Sequence, residues 1–324
     1  MTDRRAFMGT AVGTLLVVPL AVLAQGSPRR IMRIAVLSPG ASETRSVFTV
    51  FRTQLRALGY EEGRDVVLEF HLASGSERLA ALAQAIAAGK GTDLVLADGW
   101  IATQAMALAS RTIPIVAVTG DPVLVGLAVS LARPGGNVTG IATLSTELGA
   151  KQLELLCEIV PSARRIGVVN VSMGAAAYRA LEDRAASLGA ELRRLTFQTQ
   201  IDAERVLAPA ALGNVDGLAV PPSALLAGMS ATVVRLINAA GRPAVYAERD
   251  FIAAGGLVMY GHDIDDAFRR SASVVDRVLK GANPADTPFE QPTRIALVIN
   301  LKTAKALGLT IPQSVLVRAD EVIL

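Results

Sequence analysis

Short β-branched apolar runs alternate with longer amphipathic stretches along most of the chain. The runs Met32–Leu37 and Arg165–Val169 each have the length and composition of a buried parallel strand. Each is followed by an amphipathic stretch that ends in Leu-Gly, which predicts helices over Phe48–Leu58 and Tyr178–Leu188. Glycine takes the left-handed conformation that closes a helix at low cost, so the Leu-Gly pairs mark the helix ends.

The two halves of the chain continue with the same order of elements, which indicates a duplicated unit. The further strands are predicted at Asp65–Phe70, Asp93–Ala97, Ile113–Val118, Glu191–Thr196, Asp216–Val220 and Arg242–Tyr246. A second helix follows the second strand of each half, at Glu77–Ala88 and Ala203–Leu212, and a third helix follows the third strand. Strands that alternate with helices favour right-handed β-α-β crossovers, so the pattern predicts an α/β fold with two doubly wound parallel-sheet lobes.

The lobe boundary is expected near residues 131–144, because Arg133–Asn137 has the composition of a turn. A simple tandem does not accommodate the remaining elements, which include a helix at Ile264–Lys280 and a strand at Ile295–Asn300. We therefore expect the chain to cross between the lobes again near Val258–Gly261 and near Pro292, and the crossings to form a hinge. Lobe 1 is predicted at residues 31–140 plus about 261–292, and lobe 2 at 141–260 plus about 293–324.

The first 24 residues have the pattern of an export signal peptide. Arg4 and Arg5 precede the apolar run Ala11–Leu23, which is followed by the small residue Ala24. This run is shorter than the roughly 20 residues that a membrane-spanning helix needs, although an uncleaved anchor is an alternative. The Arg-Arg-x-Phe pattern resembles a twin-arginine signal, but Asp3 replaces the usual Ser or Thr, which leaves the twin-arginine and general export routes open. We expect a soluble periplasmic protein.

Composition narrows the functional classes. The chain is 51% apolar and 19% charged, with 32 Lys plus Arg against 29 Asp plus Glu, so a large core is expected and a nucleic-acid surface is not. One cysteine and two histidines cannot form an intramolecular disulfide or a Cys/His zinc cluster. We expect no metal and no cofactor.

Common catalytic motifs are absent from the sequence. It contains no Gly-x-Ser-x-Gly elbow and no His-Glu-x-x-His, and the first strand is followed by Ser38-Pro39-Gly40 rather than by a dinucleotide-binding glycine motif. We therefore predict no catalytic residue. An exported α/β enzyme that uses Asp121 or Glu248 with His262 as an acid–base pair remains an alternative, as does a ligand-sensing module with a separate signalling partner.

Polar and aromatic residues at the predicted strand ends are the candidates for ligand binding, because ligands of this fold class bind outside the carboxyl ends of the strands. The candidates are Ser38, Gly99, Trp100, Thr119, Asp121, Asn170, Pro222, Ser223, Glu248, Tyr260 and Asp263. Trp100, the only tryptophan, would stack on a ligand or be a half-buried structural residue. Asp121 would bind a ligand amine or cap the next helix, and Glu248 would contact the ligand or lie in solvent.

Several longer segments carry a family resemblance. They are Leu58–Val66, Ile113–Val116, Thr119–Val123, Leu131–Gly140 and Ile299–Pro312. On these segments the chain resembles, from Arg33 to Ile323, the ABC-transporter substrate-binding proteins of the tryptophan/tyrosine-binding type, which have the type I periplasmic binding protein fold.

The resemblance implies a soluble receptor that captures a small molecule between two lobes and presents it to a membrane permease with a separate ATPase. In members that bind aromatic amino acids, a strand end of the second lobe usually carries an acidic residue suited to the ligand's amine. This chain has Pro221-Pro222-Ser223 there, which counts against an α-amino acid as the ligand, so the sequence leaves the identity of the small organic solute open.

Overall fold

The computed structural model describes residues 30–39, 43–73, 75–169, 173–197, 199–292 and 294–324. The predicted export signal, residues 1–24, therefore lies outside the described residues. The described chain forms two α/β lobes, each built on its own sheet, which confirms the predicted fold class.

The sheet of lobe 1 has five parallel strands in the order β2-β1-β3-β4-β5. These strands are β1 (Met32–Ser38), β2 (Val66–Leu72), β3 (Leu94–Asp98), β4 (Ile115–Thr119) and β5 (Val138–Ala142). The central strands are completely buried, as expected for a parallel sheet with helices on both faces.

Four helices cover the two faces of this sheet. They are α1 (Ser46–Ala57), α2 (Ser76–Ala88), α3 (Gly99–Ala109) and, from much later in the chain, α10 (Ile264–Leu279). Helices α1 and α10 pack together on one face, where Phe48 and Phe268 meet edge to face with ring centroids 5.6 Å apart. Helices α2 and α3 pack on the other face around Leu79 and Met106.

Strand β5 was not predicted, because it lies in the segment 131–144, which was expected to be the lobe boundary on account of the turn residues Arg133–Asn137. Gly140 has a φ of +141°, and a Cβ at this position would approach the carbonyl oxygen of Ala117 to 1.9 Å. Glycine is therefore needed for the close pairing of β5 with β4, rather than for a turn.

The sheet of lobe 2 has seven strands in the order β12-β11-β10-β9-β8-β6-β7. They are β6 (Arg165–Val169), β7 (Glu191–Leu195), β8 (Gly217–Val220), β9 (Ala244–Tyr246), β10 (Val258–His262), β11 (Ile295–Asn300) and β12 (Glu321–Ile323). The expected all-parallel sheet needs one correction, because β11 runs antiparallel to β10. The chain returns to this sheet from lobe 1 rather than through a crossover helix, so the parallel rule for β-α-β units does not apply to this strand.

Helices cover both faces of the second sheet. One face carries α4 (Ser145–Ile159), α5 (Ala175–Ser187), α11 (Leu301–Ala306) and α12 (Gln313–Leu316), and the other carries α6 (Gln200–Val206), α7 (Ala224–Ala227), α8 (Ser230–Ala239) and α9 (Arg249–Ala253). The helix predicted over Ala203–Leu212 ends earlier, at Val206. Pro209 follows within one turn and has no backbone N–H to continue the helical hydrogen bonds.

The described chain passes between the lobes three times. The first passage joins β5 to α4 through Thr143 and Leu144, the second joins β10 to α10 through Asp263, and the third leads from Glu290 to β11. Leu144 has a φ of +46°, a strained conformation for a residue with a branched side chain. The backbone N–H of Ala142, at the first passage, donates to the carbonyl oxygen of Glu290, at the start of the third passage. Residues at the carboxyl ends of both sheets line one cavity.

Candidate functional site

A cavity of about 90 Å³ lies between the carboxyl ends of the two sheets. Lobe 1 contributes Asp98, Trp100 and Thr119 to its wall, and lobe 2 contributes Pro222 and Glu248. By the same measure, roughly 10–15 Å³ is enough for one water molecule, so this cavity has room for a small solute. Since both lobes form the wall, a bound solute would contact them at the same time.

The structure brings most of the predicted binding residues to this cavity. Those that line it are Gly99, Trp100, Thr119, Asp121, Pro222, Ser223 and Glu248. Of the other four, Asn170 lies outside the described residues. The remaining three are not among the cavity-lining residues.

Each of those three residues has a structural role instead. Ser38 is fully buried and donates a hydrogen bond to Asp98 Oδ2, at 2.7 Å between the oxygen atoms. Tyr260 packs against the core of lobe 2, because side chains alternate between the faces of strand β10. Asp263 caps helix α10 by accepting a hydrogen bond from the backbone N–H of Asp266.

Trp100 and Thr119 present polar atoms without partners at neighbouring strand ends. Gly99 has a φ of +82°, which lets the chain turn from β3 directly into α3 and places Trp100 in the first helical turn. The indole Nε1 of Trp100 and the hydroxyl of Thr119, a residue only 2% exposed, are buried and have no hydrogen-bond partner among the described residues. Buried polar atoms are rarely left unpaired, so both atoms are candidates for hydrogen bonds to a molecule in the cavity.

Asp121 holds the start of a helix in the other lobe. Its Oδ2 accepts hydrogen bonds from the backbone N–H of Thr146 at 3.0 Å, from the Thr146 hydroxyl at 2.5 Å and from the Ser145 hydroxyl at 3.3 Å. These donors belong to the first turn of α4, whereas the residues directly after Asp121 form turns. The helix that Asp121 caps is therefore α4, which begins 24 residues later in the chain and on the other side of the first passage between the lobes.

Sequence reasoning did not identify Arg45, which forms a buried ion pair at the cavity wall. Its Nη1 lies 2.6 Å from Asp98 Oδ2, and both side chains are largely inaccessible to solvent. Burial alone would lower the pKa of Arg45, but the charges of Asp98 and Glu248 outweigh it and raise that pKa. A basic residue in the segment before α1 gives no sequence signal that it folds over the end of a strand 53 residues later.

Glu248 follows strand β9 and is 4% exposed. Its Oε1 accepts a hydrogen bond from the backbone N–H of Ser223 at 3.1 Å. Burial raises the pKa of Glu248 from 4.5 to about 7, although the charge of Arg45 and the Ser223 N–H oppose this rise. The solvent-exposed position considered as an alternative for this carboxylate is thus excluded.

His262 lies behind the main cavity rather than in its wall. It shares a separate space of about 10 Å³ with Glu248, and its Nδ1 is 3.4 Å from the carbonyl oxygen of Arg294. Burial lowers the pKa of His262. A space of this size holds about one water molecule, so the Glu248–His262 arrangement offers no room for a substrate between the two side chains.

The described part of the chain lacks the features of a metal site or of a membrane-spanning helix. It contains no group of three or more His, Cys, Asp or Glu side chains placed to hold a metal ion. None of its helices combines the length and the apolar character that crossing a membrane requires.

Comparison with known proteins gives consistent matches. The sequence model of the ABC transporter substrate binding protein family matches residues 35–323. A tyrosine-binding protein of Clostridioides difficile (strain R20291) is 29% identical over 266 residues, which cover 80% of this chain and 75% of that protein.

Two solved structures are similar along nearly the whole chain. An ABC domain from Streptococcus pneumonia in complex with L-Trp has a TM-score of 0.79 and 26% identity, and a conserved domain protein from Vibrio cholerae O1 biovar El Tor has a TM-score of 0.81 and 26% identity. Both comparisons cover 90% of this chain and 100% of the other.

The family consists of solute-binding proteins rather than enzymes, and its members act outside the cytoplasm. The two-lobed fold and the cavity between the lobes agree with the family match, which covers nearly all of the described chain. This chain therefore belongs to the family of ABC transporter substrate-binding proteins.

Proposed function

We propose that this protein is the periplasmic receptor of an ABC uptake transporter and captures a small, amino-acid-like organic solute between its lobes. The main support for this proposal is the interlobe cavity, whose lining includes Trp100 and Thr119. The Nε1 of Trp100 and the Oγ1 of Thr119 are buried without hydrogen-bond partners among the described residues. A solute with a hydrogen-bond acceptor would satisfy both groups at once. An aromatic or apolar body would lie beside the Trp100 ring.

The similar proteins support an amino-acid-like solute. One is named as a tyrosine-binding protein and another was solved with L-Trp. Amino acids combine an acceptor-rich carboxylate with an ammonium group and a side chain. The cavity of this chain offers donors on lobe 1 and the Glu248 carboxylate on lobe 2, which suits such a molecule.

Capture would work by a shift of the protein population from an open form to a closed form. We assign residues 31–142 and about 264–290 to one moving body, and 145–262 and about 294–324 to the other, since the predicted bounds 140 and 261 would divide β5 and β10. The three passages between them act as the hinge. A solute that contacts both walls stabilises the closed form relative to the open form, and the closed form is the one that a membrane permease would recognise.

Export precedes this role. The Arg4-Arg5 pair and the apolar run after it would direct the chain across the membrane, by the twin-arginine or the general route, and cleavage after Ala24 would release it. The permease and its ATPase are separate chains.

The function can be tested by native mass spectrometry of the protein recovered from the extracytoplasmic fraction of its own host. We expect one intact solute per chain, and small-angle X-ray scattering should show compaction when the solute is added back to the emptied protein. Trp100→Ala should weaken binding at least tenfold, because loss of an aromatic contact and a hydrogen bond together costs about 2 kcal/mol.

Chemical change of the bound compound during incubation would favour an enzyme and would contradict the receptor function. Binding without compaction would contradict lobe closure. Leu108→Ala is a suitable control for the Trp100 variant, because Leu108 lies on the same helix α3 and is exposed to solvent, so its loss should leave the affinity unchanged.

A further inference from the structure

The start of helix α4 is held by a residue of the other lobe. Helix α4 belongs to lobe 2, where it packs against strands β8, β9 and β10. The residue before its first turn is Leu144, which makes no capping hydrogen bond because its side chain has no polar atom. The backbone N–H of Thr146 donates instead to the carboxylate of Asp121, which follows strand β4 of lobe 1.

Three donors at the start of α4 converge on Oδ2 of Asp121, and these bonds together form the Asp121–α4 contact. The donors are the N–H of Thr146, the hydroxyl of Thr146 and the hydroxyl of Ser145. A hydrogen bond weakens steeply with distance and misalignment, so three bonds that share one acceptor tolerate little rotation of α4 relative to β4. The carboxylate also interacts favourably with the partial positive charge at the helix N-terminus.

The two lobes approach each other closely at the Asp121–α4 contact. A Cβ on Gly120 would lie 2.3 Å from Oγ of Ser145, so a side chain at position 120 would turn the Ser145 hydroxyl away. Leu144, between the lobes, has a strained φ of +46°, and such a conformation persists where the surrounding structure holds it. The Asp121–α4 contact supplies this hold, because it fixes the two residues that follow Leu144.

The Asp121–α4 contact lies beside the interlobe cavity. Asp121 and Ser145 line the cavity, whereas Thr146 is not among its lining residues. The lobes also approach each other elsewhere on the cavity wall, where Cγ1 of Val125 in lobe 1 lies 3.9 Å from the place that a Cβ on Gly174 of lobe 2 would take. Two lobes that meet around a shared cavity correspond to the closed form of a two-lobed receptor.

We propose that the Asp121–α4 contact holds the closed form, so that Asp121 is a positioning residue for solute capture and acts through α4 rather than by touching the solute. This inference rests on the proposed receptor function and assigns a conformational role to a residue of the cavity wall. Opening of the lobes turns α4 away from β4 and breaks the bonds to Asp121. Apparent affinity falls with the fraction of molecules in the binding-competent form, so loss of the contact weakens binding of every solute.

The arrangement of the lobes can be measured without a solute. Strands β2 and β7 lie at the sheet edges farthest from the strands that lead into the passages, so the distance between the lobes should change most there. The helices that follow these two strands carry the exposed residues Glu77 and Ile201. Spin labels on Glu77→Cys and Ile201→Cys, in a Cys157→Ser background, would report this distance by pulsed electron paramagnetic resonance.

Three variants of the contact and one control are compared. Asp121→Ala removes the acceptor, whereas Asp121→Asn keeps an oxygen that can accept the same three bonds but removes the charge. Thr146→Val removes one donor from a residue that does not line the cavity. Thr199→Ala is the control, because Thr199 caps α6 within lobe 2 by accepting from the N–H of Asp202, so its loss removes a helix cap without affecting a contact between the lobes.

We expect the empty wild type to show a closed component in the label distances, and Asp121→Ala to lose it. Calorimetry with L-tyrosine, L-tryptophan and the solute recovered by native mass spectrometry should show binding weakened about tenfold by Asp121→Ala and about threefold by Thr146→Val. Asp121→Asn should restore most of the affinity. Thr146→Val should have no further effect when added to Asp121→Ala, because both act on the same contact. Thr199→Ala should lower the melting temperature and leave distances and affinities unchanged.

Failure of this inference is distinguishable from failure of the receptor function. Equal label distances in the empty wild type and Asp121→Ala would overturn the role of the contact. If Asp121→Asn weakened binding of L-tyrosine as much as Asp121→Ala and Thr146→Val left it unchanged, Asp121 would be a direct contact of the solute instead. If no compound bound, including the recovered one, the receptor function would fail, whereas the distances in the empty protein would still decide whether Asp121 holds the lobes together.

Discussion

At the scale of single residues, the hydroxyl of Thr119 has opposite effects on stability and on binding. It is buried and has no hydrogen-bond partner among the described residues, so none of them offsets the cost of removing it from water. Thr119→Val should therefore raise the free energy of unfolding of the empty protein by about 1 kcal/mol. The same change should weaken solute binding about five- to tenfold. Chemical denaturation and calorimetry measure the two effects.

Thr139 offers a matched control for this prediction. It is equally buried, but its hydroxyl donates to the carbonyl oxygen of Thr287 at 2.7 Å, and it does not line the cavity. Thr139→Val should lower the free energy of unfolding by about 1 kcal/mol and leave solute affinity unchanged. If both variants changed stability in the same direction, the unpaired state of the Thr119 hydroxyl would be contradicted.

Sequence reasoning located these residues only in part. Trp100, Thr119 and Glu248 lie directly after predicted strands, so the rule that ligands bind at strand ends was sufficient to select them. Arg45 was missed because its place depends on a long-range ion pair. Tyr260 was selected as a strand-end residue, yet it lies within β10 and faces the core, because the strand extends to His262.

At the scale of secondary-structure elements, the pairing of strand β5 with β4 depends on Gly140. A Cβ on Gly140 would lie 1.9 Å from the Ala117 carbonyl oxygen, so Gly140→Ala must separate β5 from β4. We expect this change to lower the free energy of unfolding by about 2–3 kcal/mol, as other overpacked sites do. Thermal and chemical denaturation would show the loss.

Gly136 lies four residues earlier, and a Cβ there would meet no atom within 4 Å. Gly136→Ala should therefore change stability by less than about 0.5 kcal/mol. Equal destabilisation by the two substitutions would show that β5 is not held against β4 in the manner described.

The same elements show where periodicity predicts structure well. The period of the hydrophobic residues located α1, α5 and α10 within about three residues of their observed ends, because each helix buries one continuous face. It failed where a local exception outweighed the pattern. Pro209 ended α6 early, and the turn residues Arg133–Asn137 directed attention away from β5, the edge strand that follows them.

At the scale of the whole molecule, the fold class followed from the repeated order of strands and helices, whereas the pairing of β11 did not. The direction of β11 is set by the route of the chain back from lobe 1, which no local pattern encodes. The passages between the lobes also determine the electrostatics of the molecule. They bring Glu248 of lobe 2 close to Arg45 and Asp98 of lobe 1, and they place Glu290 at the third passage beside two arginines.

These two carboxylates should make opposite contributions to the pH dependence of stability. Glu248 has a folded-state pKa of about 7, above its ordinary value, so its contribution is most favourable below pH 4.5 and is lost as the pH rises through 7. Glu248→Gln should therefore leave the stability of the empty protein unchanged near pH 4 and raise the free energy of unfolding by about 3 kcal/mol at pH 8.

Glu290 provides the opposite case. Burial alone would raise the pKa of Glu290, but hydrogen bonds from Arg277 and Arg270 outweigh it and hold that pKa below its ordinary value. Its stabilising contribution is present at neutral pH and is lost as the pH falls below about 4.5, so Glu290→Gln should destabilise the protein at pH 7 and have little effect in acid. Urea denaturation of the wild type and both variants between pH 4 and pH 8 measures the differences. If both variants changed the free energy of unfolding in the same direction at pH 8, Glu248 would not be a buried carboxylate without a counter-ion. Replacing such a carboxylate with a neutral side chain stabilises the protein at high pH, whereas replacing an ion-paired one does not.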